Sequence, residues 1–346
     1  MKTALITGIT GQDGAYLARF LLKKEYKVYG LYRRSSSPNF WRLLALGIKE
    51  KVELIPGDMT DMASLSNAII RTKPDEIYNL AAQSFVGTSF EQPILTAMVD
   101  GVGVLMLLEA VKQHNPKIRV YHASTSELYG NCRGKCTGLN DHMLNEHDIF
   151  WPNSPYASSK LYSYHQVRIY REAYGMFTVN GILFNHESPL RGLQFVTRKV
   201  TNAVARIKLG LQKNIDLGHM EAIRDWGYAP EYVEAMWLML QQPEPDDYVI
   251  ATGEKHSVQE LVEVACRSVG LDPRDVVVQN EKYFRPLDVN CLIGDPTHAK
   301  QKLKWEPRTK FDQLITIMAQ EDYARWQNHL AGKTFPWDAL NDPEAY

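Results

Sequence analysis

The chain has 346 residues, 45% of them hydrophobic and 23% charged, and a net charge of −1. This length suits a large α/β domain with a second lobe, and the balanced charge excludes a basic field that would attract nucleic acid or anionic membranes. Four cysteines are too few for a disulfide framework, no signal sequence or membrane span is expected, and we therefore expect a cytoplasmic protein.

Short apolar runs alternate with helical patterns, and the runs occupy residues 3–7, 27–32, 52–57, 76–81, 119–124 and 178–184. Strands that alternate with helices in this way predict an α/β fold with a Rossmann-type, doubly wound parallel sheet. We assign residues 1–184 to this nucleotide-binding domain and residues 185–346 mainly to a smaller C-terminal substrate lobe. Further elements are predicted as helices at 198–212 and 257–270, a strand at 247–252, and segments near 225–255 and 288–300 that return to the first domain.

The first strand leads into a glycine-rich loop, in which Gly8, Gly11 and Gly14 precede a helical pattern. Glycines at such a turn let backbone N–H groups approach a pyrophosphate at the helix N-terminus, where the helix dipole favours anions. A plain strand–helix turn is the alternative, because the spacing is G-x-x-G-x-x-G and not G-x-G-x-x-G. The position favours a dinucleotide cofactor, and the residues predicted to bind it are Gly8, Thr10, Gly11, Gln12, Asp13 and Gly14.

The residues after the second strand indicate which nicotinamide dinucleotide is bound. An NAD site places an acid about 20 residues after the loop, whereas this chain has Arg33, Arg34 and Ser35 there. Two guanidinium groups and a hydroxyl suit a 2′-phosphate, so NADP is predicted, with a solvated basic loop as the alternative. Residues after the third and fourth strands are expected at the same crevice, namely Asp58, Met59, Leu80, Ala81, Ala82, Gln83 and Ser84.

A second group of candidates suits acid–base chemistry. Ser154 and Pro155 are typical of a helix start, and Tyr156 and Lys160 then share one helix face. An ammonium group near Tyr156 is expected to lower the pKa of the phenol toward working pH, as a base for a sugar hydroxyl requires. Such a pair alone is common in structural helices, and it gains weight here from the strands that precede it.

The stretch HASTSELYG, residues 122–130, adds Thr125, Ser126 and Glu127 at the end of the fifth strand. Hydride transfer alone would not require Glu127 beside a separate acid–base pair. On the residues alone, a solvated carboxylate at a strand end is an equally good interpretation of Glu127.

Together these motifs resemble the extended short-chain dehydrogenase/reductase family and, within it, the GDP-mannose 4,6-dehydratases. The resemblance rests on stretches that span almost the whole chain: GITGQDGAYLA, RRSSS, PDEIYNLAAQSFVGTSFEQP, ASTSELYG, SPYASSKLY, GILFNHESPLRG, FVTRKVT, IRDWGYAPEYVEAMW, DDYVIATGE and FRPLDV. It implies a lyase that oxidises the hexose of GDP-mannose at C4, eliminates water across C5 and C6, and returns hydride to C6. It also implies NADP that is tightly bound and recycled at each turnover.

The resemblance assigns roles to individual residues. It implies that Tyr156, assisted by Lys160, takes the C4 hydroxyl proton and that Glu127 shuttles protons at C5 and C6. Thr125 would hydrogen-bond the C4 oxygen, and Ser126 would hold the elimination geometry. The residues it places at the cofactor are Tyr156, Lys160, His186 and Arg191, and those at the substrate are Ser84, Thr125, Glu127, Asn185, Val196, Lys199, Arg224, Arg285 and Asp288. Asp288 is one methylene shorter than the family's Glu.

The resemblance also implies a homotetramer or a dimer, because family members associate through a helical interface. In the tetramers the loop after the second strand reaches a neighbour's cofactor site. Residues Arg33–Arg42, including Phe40 and Trp41, are the candidates for that contact here.

Two other functions are compatible with the same motifs. A reductase or epimerase that acts on GDP-keto sugars would use Tyr156 and Lys160 but would not need Glu127. A non-catalytic NADP-binding protein would need none of the acid–base residues.

The segment between Glu127 and Tyr156 is several residues longer than expected of the family. It contains four potential metal ligands, Cys132, Cys136, His142 and His147. Their C-x3-C-x5-H-x4-H spacing fits none of the usual structural zinc sites, so no metal is predicted.

Overall fold

The central feature of the computed structural model, which describes residues 1–35, 39–131, 142–280, 287 and 289–333, is a seven-stranded parallel sheet. The strands in chain order are β1 (Thr3–Thr7), β2 (Lys27–Tyr32), β3 (Glu53–Pro56), β4 (Glu76–Asn79), β5 (Arg119–Ala123), β6 (Thr178–Leu183), β7 (Asn185–Glu187), β8 (Ile215–Leu217), β9 (Ile223–Arg224), β10 (Trp226–Tyr228), β11 (Asp247–Ile250), β12 (His256–Ser257), β13 (Val277–Gln279) and β14 (Cys291–Leu292). The order across the large sheet is β11-β6-β5-β4-β1-β2-β3, which confirms the predicted doubly wound fold and all seven strands predicted for it.

Helices cover both faces of this sheet. They are α1 (Gln12–Lys23), α2 (Trp41–Ala45), α3 (Met62–Thr72), α4 (Val86–Glu91), α5 (Pro93–Ala97), α6 (Gly103–His114), α7 (Pro155–Tyr174), α8 (Val196–Lys208), α9 (Ala229–Gln241), α10 (Val258–Val269), α11 (Thr297–Leu303) and α12 (Phe311–Leu330). Leu17 on α1 packs with Met236 on α9 in the core of one face, and Leu65 on α3 packs with Leu107 on α6 in the core of the other. Burial on both faces explains why the strands are almost continuously apolar.

One helical stretch is both long and apolar. Helices α5 and α6 are joined by a π-helical turn, Met98–Val102, into a continuous segment Pro93–His114 with a mean hydropathy of 2.0. No membrane span is expected from the sequence, and among the described residues this is the one helix that is long and apolar enough to cross a membrane by length and composition alone. Half of the segment is buried inside the fold, as in a core helix.

The C-terminal part of the chain builds a core of its own. Helices α8, α10 and α12 pack on one another, and Trp226 stacks on Phe311 at a ring-centroid distance of 5.7 Å. The small sheets are β10-β7, β12-β9-β14 and β13-β8. The pairing of β7 with β10 is parallel, and it places Asn185 and His186 opposite Trp226 and its neighbour.

A buried network of charges connects this part to the segment around Pro189. The Asp322 carboxylate accepts hydrogen bonds from Arg198 Nε at 2.8 and 2.9 Å, from Thr201 Oγ1 at 2.7 Å and from Arg325 Nη1 at 3.0 Å. Arg198 Nη1 in turn donates to the carbonyl oxygens of Pro189 and Arg191, both at 2.8 Å. Helices α8 and α12 are thus bonded to the loop that carries Arg191.

Candidate active site

A cleft of about 1830 Å³ opens at the carboxyl ends of the parallel strands and extends beside α8 and β8. Ligand sites of open α/β sheets occur at this edge. The predicted site residues that line the cleft are Gly8, Thr10, Gly11, Gln12, Asp13, Gly14, Arg33, Asp58, Met59, Leu80, Ala81, Ala82, Gln83, Ser84, Thr125, Glu127, Tyr156, Lys160, Asn185, His186, Arg191, Val196, Lys199 and Arg224. The structure therefore brings most of the predicted residues into one cavity.

The remaining predicted residues either are absent from the described cleft lining or fall outside the described residues. Arg34 and Ser35 are exposed and are not part of the described cleft lining. Ser126 is 1% exposed in the short 3₁₀ turn Ser126–Tyr129 and is not part of the described cleft lining, whereas its neighbours Thr125 and Glu127 are. Arg285 and Asp288 fall outside the described residues, as do Cys132 and Cys136.

The glycine loop forms a closely fitted backbone cradle before α1. Gly8 has φ +69°, and a Cβ atom there would lie 2.8 Å from the Ala81 nitrogen; a Cβ at Gly14 would lie 2.4 Å from the Gly8 oxygen. Gly11 N donates to Gly8 O at 3.0 Å and closes the turn. A bare backbone at the N-terminus of a 12-residue helix fits a pyrophosphate, so the loop suits a dinucleotide cofactor.

Next to this cradle, Gln12, Asp13 and His186 form a hydrogen-bonded group. His186 Nε2 lies 2.7 Å from Asp13 Oδ2, and Gln12 Nε2 donates to the His186 carbonyl at 3.0 Å. Burial disfavours the charged forms of Asp13 and His186, but the attraction and hydrogen bond between the two side chains outweigh the cost of burial. The pKa of Asp13 therefore lies below its usual value of 3.8, and the pKa of His186 lies above its usual 6.5.

These shifts predict a pH-dependent contribution of the pair to stability. The His186 contribution is complete below about pH 6.5 and is lost as the pH rises through the raised pKa, while the Asp13 contribution is lost only in strong acid. We expect Asp13→Asn to lower the free energy of unfolding by about 1–3 kcal/mol at pH 5.5 and by clearly less at pH 9. Urea unfolding at both values measures this, and an equal loss at the two would contradict it.

Thr125 and Tyr156 approach each other from the end of β5 and the start of α7. Ser154 Oγ accepts the Ala157 N–H at 3.1 Å and caps α7, as predicted, so that Tyr156 lies in the first turn. Lys160, one turn later, donates to the Ala123 carbonyl at 2.9 Å. The Tyr156 hydroxyl is hydrogen-bonded to Thr125, whose Oγ1 also accepts the Glu127 N–H at 3.2 Å.

The prediction that Lys160 lowers the pKa of Tyr156 is wrong, because the surroundings of Tyr156 raise its pKa. Burial raises the pKa of Tyr156 well above 10, and the negative charges of Asp100 and Glu127 act in the same direction. The hydrogen bond from Thr125 and the charge of Arg191 oppose the rise without cancelling it. Lys160 Nζ lies 6.0 Å from the centroid of the Tyr156 ring, and burial lowers its own pKa. Spacing along a helix does not reveal how strongly the site is desolvated.

Two residues that sequence reasoning missed lie beside this pair. Ser124 lines the cleft, and its buried Oγ has no hydrogen-bond partner in the described part of the chain. Asp100 is fully buried in the π-helical turn, where Oδ1 accepts the Gln83 N–H at 2.8 Å. Burial raises the pKa of Asp100 to about 6, against the opposing charge of Lys160. The sequence does contain a signal for Asp100, since it is an acid inside the apolar run AMVDGVGVLMLL, and a buried acid needs a partner or a function.

A glycine cradle before α1 and a Tyr–Lys pair on α7, both at the carboxyl edge of a doubly wound sheet, define the extended short-chain dehydrogenase/reductase class. Within that class, a family model described as GDP-mannose 4,6 dehydratase matches residues 5–318. The chain belongs to the GDP-mannose 4,6-dehydratase family.

Known relatives cover nearly the whole chain. GDP-mannose 4,6 dehydratase 1 of Arabidopsis thaliana is 49% identical over 331 residues, which cover 93% of this chain and 90% of the relative. The GDP-mannose 4,6 dehydratase of Homo sapiens is 49% identical over 346 residues, with coverage of 93% and 91%. Among solved structures, dTDP-glucose 4,6-dehydratase from Bacillus anthracis in complex with NAD has a TM-score of 0.81 at 21% identity and covers 95% of this chain and 98% of its own. The last likeness concerns the fold alone.

Proposed function

We propose that the protein converts GDP-mannose to GDP-4-keto-6-deoxymannose, as a 4,6-dehydratase. The observation that carries this proposal is the position of Glu127. It lines the same cleft as Tyr156 and Lys160, and its charge acts on the Tyr156 phenol. A reductase or epimerase needs only the Tyr–Lys pair, whereas elimination of water needs a further group to move protons.

The first chemical stage is oxidation at C4 of the hexose. A bound nicotinamide dinucleotide supplies the hydride acceptor for C4 and the hydride donor for C6. Tyr156 takes the proton of the C4 hydroxyl, and Thr125 holds the C4 oxygen by a hydrogen bond. Lys160, whose buried Nζ lies 6.0 Å from the centroid of the Tyr156 ring, assists this transfer, and the hydrogen bond from Thr125 and the charge of Arg191 favour the ionised phenol.

The second stage is elimination. The C4 ketone makes the C5 hydrogen acidic, and Glu127 removes it as a proton. The same carboxyl group then protonates the departing C6 hydroxyl, so that water leaves and a C5–C6 double bond forms. Hydride addition at C6 and protonation at C5, by a proton that Glu127 takes up from solvent, give the 4-keto-6-deoxy sugar. Tyr156 releases the C4 hydroxyl proton to solvent, so there is no net oxidation or reduction and no net change in protons. Glu127 is half-buried, so it reaches the cleft while keeping access to solvent protons.

Incubation of the purified protein with GDP-mannose and no added cofactor tests the proposal. A dehydratase forms a 4-keto sugar that has lost one water, which mass spectrometry detects. Unchanged GDP-mannose, together with reduction of an added GDP-4-keto sugar at the expense of NADPH, would establish a reductase instead. Unchanged substrates in both incubations would support a non-catalytic role.

The cofactor is proposed to be NADP, held tightly enough to be recycled. Arg33 lines the cleft directly after β2, and no acid stands there to bind a ribose 2′-hydroxyl. We expect the protein to retain NADP(H) through purification, and Arg33→Asp to weaken NADP binding about 10- to 100-fold through loss of a charge-assisted hydrogen bond. Calorimetry measures this, with Lys117→Asp, an exposed cation elsewhere, as the control. Equal NADP affinity in the two variants would contradict the assignment.

The substrate diphosphate is proposed to bind beside α8, in the C-terminal lobe that we assign to residues 185–346. Lys199 and Arg224 line that part of the cleft, and fixed cationic donors suit phosphate oxygens. Lys199 Nζ donates to the Asp216 carbonyl at 2.6 Å, and Arg224 Nη1 donates to the Ile223 carbonyl at 2.9 Å. Both cations are therefore held in place by backbone oxygens. Cytoplasmic location is proposed with the same function, in line with the buried Cys266, which is in the thiol form.

The protein is also proposed to form a homotetramer or dimer. Ile94 on α5 is 79% exposed, and Ile169 and Tyr174 on α7 are also exposed apolar side chains. Trp41 is buried in its own chain, and Arg42 donates to the Thr10 and Leu190 carbonyls of its own chain. Of the loop predicted to reach a neighbour, Arg33 and Arg34 are therefore the exposed cations.

Sedimentation tests the oligomeric state. At micromolar concentration we expect a dimer or tetramer, and we expect Ile94→Glu combined with Ile169→Glu to shift the protein toward monomer by placing charge in an apolar contact. A native protein that sediments as a monomer would contradict the proposal.

A further inference from the structure

Most of the acidic residues that line the cleft have a hydrogen-bond partner or a proposed role. One acid, which lies near Lys199, has no assigned role. Six described acids line it: Asp13, Asp58, Glu91, Glu127, Glu187 and Asp216. The first is paired with His186, the second accepts from Thr60, Glu127 is the proposed proton shuttle, and Glu187 is bonded to Thr197 and Arg191. Glu91 is exposed at the end of α4. Asp216 is the described acid that stands among the cations of the C-terminal part.

Asp216 lies on strand β8 at the wall of the cleft. Asp216 is the middle residue of β8, and its neighbours Ile215 and Leu217 are buried in the core formed by α8, α10 and α12. Asp216 lines the cavity together with both of these neighbours. Because successive strand residues face opposite sides, its side chain leaves the strand on the side away from that core. Its Oδ1 accepts a hydrogen bond from Asn214 Nδ2 at 3.4 Å, and no described residue hydrogen-bonds Oδ2. The carboxylate is therefore hydrogen-bonded through Oδ1, and Oδ2 can accept a hydrogen bond from a ligand.

The charge of Asp216 restricts what it can bind. Lys199 donates to its backbone carbonyl, so a diphosphate bound by Lys199 would lie near the carboxylate and would be repelled by it. If the carboxylate contacts the ligand, its partner must therefore be a hydrogen-bond donor. In a nucleoside diphosphate sugar the donors are the hydroxyls of the two sugars and the polar edge of the base.

Guanine presents a donor pair that a carboxylate matches. Its N1–H and its 2-amino group are adjacent donors, whereas adenine has an acceptor at N1, and uracil and thymine have one N–H between two carbonyl acceptors. A carboxylate accepts two parallel hydrogen bonds from the N1–H and the 2-amino group of guanine. On the other bases the carboxylate would face at least one acceptor atom, which repels it. We propose that Asp216, held on β8 by Asn214 beside Lys199, selects guanine in the nucleotide substrate. This inference rests on the proposed function, because it concerns a GDP-sugar.

The test compares kcat/KM for GDP-mannose and for inosine diphosphate mannose, whose base lacks the 2-amino group. We expect the unmodified protein to prefer the guanine substrate about 10- to 100-fold, as loss of one charge-assisted hydrogen bond implies. In Asp216→Asn that preference should fall to within about threefold of unity, mainly through KM, while kcat is retained. Glu221→Gln, an exposed acid on the same segment and outside the cleft lining, should keep the full preference.

Two results would overturn the inference. One is an unchanged preference for guanine in Asp216→Asn. The other is a loss in Asp216→Asn of discrimination against 2′-deoxy-GDP-mannose, with the guanine preference intact, which would assign the carboxylate to the ribose. If the unmodified protein does not turn over GDP-mannose, the proposed function fails. Asp216 is then tested by calorimetric binding of GDP and IDP to the same variants, where the same 10- to 100-fold preference is expected.

Discussion

Replacement of Glu127 by glutamine is expected to lower the rate of dehydrated product formation by about 10²–10⁴-fold. The amide keeps the size and hydrogen-bonding reach of the side chain but can neither accept the C5 proton nor donate one to the C6 oxygen. Oxidation at C4 depends on Tyr156, Thr125 and Lys160 and should persist, so the C4-oxidised hexose should accumulate in an amount equal to the enzyme. Rapid-quench mass spectrometry in a single turnover measures both species.

A matched substitution controls for the loss of a carboxylate in general. Glu50 is 90% exposed and lies outside the described cleft lining, so Glu50→Gln should leave the rate within twofold of the parent protein. Dehydrated product formed by Glu127→Gln at a rate within tenfold of the parent would mean that another group moves the C5 proton. The assignment of Glu127 would then be wrong.

Asp322→Ala is expected to give the largest loss of stability, about 3–5 kcal/mol in the free energy of unfolding. The side chains of Arg198 and Asp322 are 2% and 1% exposed, and Arg325 shares the same carboxylate. Removal of that carboxylate leaves the Arg198 guanidinium buried without its counter-charge and leaves Arg325 paired with Glu321 among the described acids. Equilibrium unfolding in urea measures the difference.

The control lies on the same helix. Asp312 forms an ion pair with Arg267 in which both side chains are 69% exposed, so Asp312→Ala should cost no more than about 1 kcal/mol. Similar losses in the two variants would contradict the role given to the buried network. Because Arg198 also holds the Pro189 and Arg191 carbonyls, Asp322→Ala should release cofactor more readily than Asp312→Ala.

The sheet and the cleft could be predicted because they depend on local patterns. Strand β1 is apolar at its three central positions, and the glycine loop follows it directly, so their order along the chain already places the loop at the carboxyl edge. The same holds for Ser154 as the cap of α7. Each of these features is set by residues within a few positions of one another.

Other features depend on residues far apart in the chain. Arg198 and Asp322 are separated by 124 positions, and neither lies in a motif that indicates a partner. The burial of Ser126 was also beyond prediction, because the 3₁₀ turn after β5 forms only in the folded chain, where Ser126 is buried while Thr125 and Glu127 line the cleft. The raised pKa of Tyr156 follows from burial that only the assembled site produces.

The measurement that tests the central account most directly uses GDP-mannose deuterated at C4. Oxidation at C4, elimination and hydride return within one cleft predict that the deuterium appears at C6 of the same sugar, and that a mixture of labelled and unlabelled substrate gives no crossover. NMR of the product locates the label. Deuterium that is retained at C4, lost to solvent or transferred between sugar molecules would contradict the account.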